Sequence, residues 1–238
     1  MIKIIGIAGA ARSGKDTACE FIKDELRELT IPSFRYALAD PIKKQVNEIF
    51  LWDRRHGYGE LKEVYFELMM DHRVVKDVID KSFGERVEDV DHLFHKFHRI
   101  LYDNGCIEYT IPFAGLTKVK VSPSKMYQLW GTEFARENIS DSIWFDVAEE
   151  ELQSNKGSVM IIPDVRFVNE AEWIKSNPNA ILVGVDRPDN SDSIGVTHAS
   201  EKDIPIVLEM SDLHVENSST LEDFKGDVVS GVKALMGV

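Results

Sequence analysis

The segment IKIIGIAGAARSGKDT at residues 2–17 determines the fold expected for this chain. An apolar run at 2–8 predicts a buried strand, and apolar residues at helical spacing between 15 and 29 predict a helix directly behind it. Between them, Gly9 is followed by four residues and then by Gly14 and Lys15, which is the GxxxxGK spacing of a phosphate-binding P-loop. The segment therefore predicts a strand, a phosphate loop and a helix N-terminus, in that order.

The chemistry of this loop favours a nucleoside triphosphate. Glycines let the loop curl so that successive backbone N–H groups point at phosphate oxygens, and the helix dipole adds positive potential. Lys15 supplies a full charge for the β- and γ-phosphates. The residues expected to bind the nucleotide here are Gly9, Arg12, Ser13, Gly14, Lys15, Asp16 and Thr17.

Asp16 departs from the usual motif, which has Ser or Thr directly after the lysine so that its hydroxyl can bind Mg²⁺. Here the hydroxyl residue, Thr17, comes one position later. Phosphates repel an aspartate unless it holds hydrated Mg²⁺ or pairs with a cation such as Arg12. The alternative is that Asp16 is only a first-turn acid favoured by the helix dipole. Both interpretations stay open from the sequence; the site assignment for Asp16 is a water-mediated metal contact.

Composition narrows the class of protein. At 238 residues the chain is long enough for one α/β domain spanning 1–238, and no stretch approaches the ~20 apolar residues needed to cross a membrane. The net charge of −13 argues against a nucleic-acid polymer as partner, because phosphate backbones attract basic surfaces. The first strand begins at residue 2, which leaves no room for a signal peptide. Cys19 and Cys106 form no CxxC pair, so a reducing cytoplasm is expected.

Strands alternate with helices along the chain, which predicts a three-layer, doubly wound α/β fold with a parallel sheet. The predicted strands are residues 2–8, 33–39, 159–162, 180–185 and 213–216. The predicted helices are residues 15–29, one beginning at Asp40-Pro41, 122–128, 141–153, 168–176 and 221–235.

The middle of the chain has a different pattern. Amphipathic segments at 61–70, 74–83 and 87–101 predict helices, and 107–112 with 116–121 predict a β-hairpin. Because no flexible linker brackets it, we interpret 52–121 as an insertion into the single domain.

Polar residues follow the predicted strands at several points, and in such sheets ligands bind at the carboxyl ends of the strands. These residues are Asp40, Lys43, Lys44, Asp164, Arg166, Asp186, Arg187 and Asn217. Asp164 could hold a magnesium-bound water or orient an acceptor oxygen, or could cap the next helix. Arg166 could bind a phosphate with its planar guanidinium or make a surface ion pair. The set suits a site for several phosphates.

Two other features favour structural interpretations. His92, His95 and His98 share a helix with Leu93 and other apolar residues, and their spacing matches no known metal motif, so we interpret them as a solvated or interfacial face. Trp130 and Trp144 could stack a base or belong to the core.

Taken together, these segments resemble the T-even-type bacteriophage deoxynucleoside monophosphate kinases. The resemblance rests on the residues 12–17, 36–43, 128–133 with Trp144, 163–166 with Glu170, Arg187-Pro188, and Thr197-His198 with Glu201. Residues 52–121 align poorly. The resemblance implies a P-loop kinase that moves the γ-phosphoryl group of ATP onto a deoxynucleoside 5′-monophosphate with Mg²⁺.

The resemblance also implies residue roles. The chemistry of phosphoryl transfer, which needs charge neutralisation and alignment, agrees with it: we expect catalysis from Arg12, Lys15, Asp164 and Arg166, with Arg187 beside the P-loop on the donor side. The segment at Asn217 resembles the adenine-side loop of dephospho-coenzyme A kinases and is assigned to the donor side as well. Near the acceptor nucleotide the family resemblance places Lys43, Lys125, Gly131, Thr132, Trp144, Asp164, Arg166 and Glu170. Lys125 stands where the family has an arginine, which suggests a weaker contact. A further acceptor-side arginine could be Arg54, Arg55, Arg73 or Arg86.

The same resemblance implies action in the cytoplasm of an infected host cell, and a homodimer is a further expectation. Residues 189–203, which are polar and contain Gly195, are a candidate mobile flap that excludes water. A dephospho-coenzyme A kinase is the first alternative, because residues 36–43 and 217–219 resemble that group too. A nucleotide-dependent switch is the second, although no NKxD signature follows a strand.

Overall fold

The computed structural model describes residues 2–57, 59–188 and 202–238. Its contacts divide into two compact units. Unit 1 comprises the chain up to Ala37 and from Ala148 onward, and unit 2 is Leu38–Val147. The predicted insertion, 52–121, lies within unit 2, and the single-domain organisation stays a prediction.

The described strands and helices follow the predicted alternation. The strands are β1 Ile4–Ala8, β2 Ser33–Arg35, β3 Phe66–Asp71, β4 Ile107–Ile111, β5 Leu116–Val121, β6 Val159–Val165, β7 Ala180–Asp186 and β8 Leu213–Glu216. The helices are α1 Lys15–Glu28, α2 Asp40–Phe50, α3 Arg54–Gly57, α4 His72–Phe83, α5 Val90–Asp103, α6 Pro123–Gln128, α7 Ile143–Ser154, α8 Val168–Ser176, α9 Ile204–Glu209 and α10 Leu221–Met236. None of the helices in these ranges is long and apolar enough to cross a membrane.

Unit 1 contains a five-stranded parallel sheet in the order β2-β6-β1-β7-β8. Successive residues of β1 point to opposite faces: Ile5 and Ile7 pack with α1 and α10, whereas a Cβ on Gly6 would lie 2.6 Å from Cδ1 of Ile174 on α8. Helices therefore cover both faces of the sheet. This arrangement confirms the α/β, doubly wound fold class, and it brings the carboxyl ends of the strands to one edge.

Unit 2 combines helices with a three-stranded antiparallel sheet in the order β3-β5-β4. The hairpin formed by β4 and β5 confirms that prediction. The helix predicted at 61–70 is wrong, because β3 occupies Phe66–Asp71 and only Glu60–Glu63 forms a short 3₁₀ turn. Phe66, Leu68 and Met70 alternate along β3 opposite Val121, Val119 and Thr117 of β5. A short apolar run fits both the helical and the strand period, so pairing with β5 determines that this segment forms a strand.

Three further differences concern element ends. The second strand was predicted over 33–39 but ends at Arg35. Strand β6 extends to Val165, so Asp164 lies within the strand. Phe167 precedes α8 at the cap position, which makes the helix-cap interpretation of Asp164 wrong. The short helix α9 was not predicted.

Candidate active site

The P-loop follows β1 and is held by close backbone contacts within unit 1. Gly14 has a φ of 110°, and a Cβ on it would lie 2.6 Å from Nδ2 of Asn217. A Cβ on Gly9 would lie 2.2 Å from the carbonyl oxygen of Val185, at the end of β7. Both positions therefore require glycine, and the loop is fitted against the carboxyl end of the sheet.

Lys15, the first residue of α1, turns back onto this loop. Its side chain is 9% exposed, and Nζ donates hydrogen bonds to the carbonyl oxygens of Gly9 at 2.8 Å and Ala10 at 2.7 Å. Oδ1 of Asp164 lies 3.6 Å from Nζ. Burial lowers the pKa of Lys15, and the negative charge of Asp164 partly opposes this effect. Phosphate oxygens would compensate the buried ammonium group in the same way.

Asp164 lies between two cations at the end of β6. Its Oδ2 accepts a hydrogen bond from Nε of Arg166 at 2.8 Å, while Oδ1 faces Lys15. Arg166 is therefore in an ion pair, but its partner is a carboxylate of the candidate site itself. The arrangement places a lysine and an arginine on either side of one carboxylate, close to the P-loop.

Glu170 binds the backbone of the turn between β6 and α8, which carries Arg166. It is buried, and its Oε2 accepts the backbone N–H groups of Arg166 at 2.9 Å and Phe167 at 3.3 Å. These bonds satisfy N–H groups at the start of α8. Glu170 thus fixes the backbone that carries Arg166, and its predicted contact with the acceptor stays a prediction.

The ion-pair partner of Asp16 is Arg35, not Arg12 as the sequence had suggested. Nη2 of Arg35 lies 3.1 Å from Oδ1 of Asp16. The sequence did not indicate Arg35 as a site residue, because the second strand was expected to continue to residue 39 and Arg35 would then lie in the middle of it. With β2 ending at Arg35, this residue is itself at a strand end.

A cavity of about 490 Å³ opens beside the P-loop, a size that suits a small-molecule ligand. Its polar lining residues are Arg12, Lys15, Asp16, Thr17, Arg187, Asn217 and Ser219. Leu221 and Phe224 of α10 add apolar surface. The structure therefore brings most predicted donor-side residues to one cavity.

Asn217 connects three loops at this edge of the sheet. Its backbone N–H donates to the carbonyl oxygen of Asp186 at 2.7 Å, and its Nδ2 donates to the carbonyl oxygen of Ser13 at 2.9 Å. The loops that follow β1, β7 and β8 are thereby linked. A direct contact between Asn217 and the nucleotide stays a prediction, whereas its contact with the P-loop is observed.

Unit 2 carries the other predicted acceptor-side residues. Lys43 on α2 and Lys125 on α6 are half-buried, and Thr132 is exposed. Gly131 is buried, and a Cβ there would lie 2.8 Å from Cδ1 of Ile42. Gly131 and Thr132 belong to a π-helix, Leu129–Arg136, a rare conformation often found at functional sites.

Trp144 is 1% exposed and packs in the core of unit 2. Its Nε1 donates to the carbonyl oxygen of Gly131 at 2.9 Å. Trp130 is buried as well, with its Nε1 bonded to Oε1 of Gln45 at 2.7 Å. Both indoles are therefore core residues in the described structure.

The three histidines of α5 differ in their surroundings. His92 and His95 are exposed, whereas His98 is half-buried and its Nε2 lies 3.2 Å from Oγ1 of Thr117. Nε2 of His72 lies 2.8 Å from the same oxygen. Within 2–57, 59–188 and 202–238, no three His, Cys, Asp or Glu side chains form a metal-binding group. The flap predicted at 189–203 lies outside the described residues, except for Lys202 and Asp203.

A glycine loop between a parallel strand and a helix, with a buried lysine and a cavity beside it, defines a P-loop nucleotide-binding protein. The sequence model of the family "Deoxynucleotide monophosphate kinase" matches residues 3–228, and the chain belongs to that family. It is accordingly a phosphotransferase that phosphorylates deoxynucleoside monophosphates, and membership of a kinase family implies the use of ATP. This result confirms the kinase prediction over the two alternatives.

Curated relatives agree with the family. The chain is 29% identical over 218 residues to the deoxynucleoside-5′-monophosphate kinase of Escherichia phage T5, with 86% of each chain covered. It is 23% identical to the deoxynucleotide monophosphate kinase of Escherichia phage RB69, covering 93% of this chain and 96% of the relative. Among solved structures, dephospho-CoA kinase from Campylobacter jejuni matches with a TM-score of 0.45 and 12% identity, covering 99% and 98% of the two chains.

Proposed function

We propose that unit 1 binds the triphosphate of ATP in the P-loop and that Lys15, Asp164 and Arg166 carry the transfer of its γ-phosphoryl group. The contact of Asp164 with both cations is the single observation that supports this assignment best. Lys15 exchanges its bonds to Gly9 and Ala10 for phosphate oxygens, so the buried ammonium group keeps its oxygen partners. Arg12 and Arg187 border the same cavity and add positive charge.

The reaction needs little covalent help from the protein. An oxygen of the acceptor monophosphate attacks the γ-phosphorus, the bond to the β,γ-bridging oxygen breaks, and ADP leaves with the electron pair. The second pKa of a phosphate monoester is about 6, so the acceptor is mostly ionised at neutral pH and a strong general base is unnecessary. Positioning and charge neutralisation are therefore the roles of Lys15 and Arg166.

We propose that Asp16 and Thr17 serve the Mg²⁺ side of the nucleotide. Asp16 has an exposed carboxylate, Thr17 a hydroxyl, and both border the cavity; such oxygen ligands fit a hydrated Mg²⁺ ion. When bound, Mg²⁺ neutralises charge on the β- and γ-phosphates. The assignment of Asp16 to a water-mediated contact is supported by its position directly after Lys15.

For the acceptor nucleotide, we propose direct contacts from Lys43, Lys125 and Thr132, which are the accessible members of the predicted set in unit 2. Gly131 and Trp144 shape this part of unit 2 from within its core. Since each lysine offers a point charge rather than a planar fork, these contacts are electrostatic more than geometric.

We propose Arg54 as the missing acceptor-side arginine, on the basis of its position near Lys43. Arg54 lies on α3, where a Cβ on Gly57 would be 3.5 Å from Cδ of Lys43. The similarity to phage enzymes supports the cytoplasm of an infected cell as the place of action, and a homodimer stays a prediction that sedimentation velocity would check.

Lys15→Ala tests the proposed function through ADP release from ATP with a deoxynucleotide acceptor. Removing the charge should lower kcat/KM by about 10²- to 10³-fold, with the thermal unfolding midpoint close to wild type. Lys23→Ala is the matched control, because Lys23 is an exposed lysine on the same helix, paired with Glu20. Equal turnover of Lys15→Ala and Lys23→Ala would contradict the assignment of the P-loop.

A further inference from the structure

Arg35 is fixed at the carboxyl end of β2, on the edge of the sheet that carries the P-loop. It is in register with Ile161 of β6, and the next backbone N–H, of Tyr36, donates to the carbonyl oxygen of Ile161 at 2.9 Å. From this anchored position its guanidinium reaches Asp16 on the first turn of α1, with 3.1 Å between Nη2 and Oδ1. The sheet therefore determines where this cation lies.

The ion pair contributes little to stability. The side chains of Arg35 and Asp16 are 50% and 90% exposed, and exposed pairs of this kind are typically worth about 0–1 kcal/mol. When no Mg²⁺ is bound, Asp16 also disfavours binding of the donor nucleotide. It places a negative charge directly after Lys15, where the P-loop is expected to receive the most highly charged part of the donor nucleotide. A like charge close to phosphates weakens their binding.

We propose that Arg35 is a positioning residue for the donor site: it neutralises and orients the Asp16 carboxylate, so that a polyphosphate can bind to a P-loop that carries aspartate after its lysine. This proposal rests on the proposed function of unit 1. Arg35 acts through Asp16 and does not itself contact the nucleotide. It thereby provides a physical reason why this loop tolerates an acid at a position usually occupied by Ser or Thr.

A double-mutant cycle tests the proposal through the Kd for ADP, measured by calorimetry in EDTA so that Mg²⁺ does not contribute. Arg35→Ala should weaken ADP binding by about tenfold, because Asp16 then repels the phosphates, and the loss should shrink at high salt. In the Asp16→Asn background the same substitution should have no effect, since no charge remains to neutralise. Arg35→Lys should restore part of the affinity.

Arg27→Ala is the matched control, because Arg27 makes an exposed ion pair with Asp24 on α1, the helix that also carries Asp16. It should leave the Kd unchanged. An equal loss from Arg35→Ala with and without Asp16→Asn would mean that Arg35 binds phosphate directly, and this would overturn the proposal. Unchanged affinity of Arg35→Ala would overturn it as well. Lys15→Ala distinguishes a failure of this proposal from a failure of the proposed function: if Lys15→Ala binds ADP like wild type, the assignment of the P-loop itself is wrong.

Discussion

The two units illustrate different ways in which a sequence encodes a site. In unit 1, the predicted donor-side residues contact one another or border one cavity: Lys15 faces Asp164, Asp164 binds Arg166, and Asn217 holds Ser13. In unit 2, Gly131 and Trp144 belong to the core, and Trp144 is bonded to the backbone of Gly131. Most predicted donor-side residues of unit 1 border a cavity beside the P-loop, whereas part of the predicted set in unit 2 is buried in its core.

This difference has a physical origin. Phosphate binding by a P-loop depends on local backbone geometry, which two spaced glycines and one lysine specify within a single short segment, residues 9–15. Recognition of an acceptor depends on which side chains of several helices remain accessible, and that is decided by packing. Substitutions of the predicted residues in unit 1 should therefore affect catalysis, whereas substitutions of the buried Trp144 in unit 2 should affect stability.

Trp144 offers the largest expected effect after Lys15. Truncation to alanine removes a fully buried indole and should lower the free energy of unfolding by about 3–5 kcal/mol. The milder Trp144→Phe keeps an aromatic ring but leaves the Gly131 carbonyl without its donor. We expect a lower thermal midpoint and a KM for the deoxynucleotide within about threefold of wild type.

Trp130→Phe is the matched control, because Trp130 is an equally buried indole with its N–H bonded to Gln45. Both variants should lose stability and keep the KM for the acceptor. A rise of KM above about tenfold in Trp144→Phe alone would show that this ring contacts the acceptor, and the contrast between the units would be lost.

Asn217 gives a smaller effect, located in unit 1. Asn217→Asp replaces the Nδ2 donor by an oxygen that faces the Ser13 carbonyl, so the P-loop should lose its support and the KM for ATP should rise by about tenfold. Asn217→Ala should be intermediate, and Ser219→Ala, at the same cavity, should resemble wild type. Wild-type KM values in Asn217→Asp would show that the bond to Ser13 has no role in nucleotide binding.

The smallest expected effect is a loss of stability of unit 2 in acid, caused by His72 and His98. Burial lowers the pKa of both side chains. At His72, positive charge on Lys76 and His95 lowers the pKa further, while the negative charge of Asp71 opposes this effect. At His98, positive charge on His72 and His95 lowers the pKa further. A folded-state pKa below the ordinary value means that the unfolded chain binds more protons. The stability that these two histidines contribute is therefore complete at a pH above their ordinary pKa, and it declines as the pH falls towards their folded-state pKa.

The check is chemical denaturation between about pH 7.5 and pH 5.5. Wild type should lose more stability over this interval than His72→Asn/His98→Asn, while the exposed His92→Asn should behave like wild type. Identical pH dependence in wild type and the double variant would exclude these histidines as the cause.

The sequence predicted the parts of the fold that depend on neighbours along the chain. The strand, loop and helix at 2–29 are contiguous, and their pattern is unambiguous. Pairs such as Asp16 with Arg35 and Ser13 with Asn217, which are 19 and 204 residues apart, arise only when the sheet brings the strand ends together. Strand β3 was mistaken for a helix because its apolar residues fit both periods until β5 provides the partner.

The kinase activity is best measured as ADP release from ATP and Mg²⁺ with each of dAMP, dGMP, dCMP, dTMP, GMP and dephospho-coenzyme A as acceptor. We expect turnover that depends on one or more of the deoxynucleoside monophosphates and disappears in Lys15→Ala. Turnover with dephospho-coenzyme A alone, or no turnover with any acceptor, would show that the protein is not a P-loop deoxynucleotide kinase of the proposed kind.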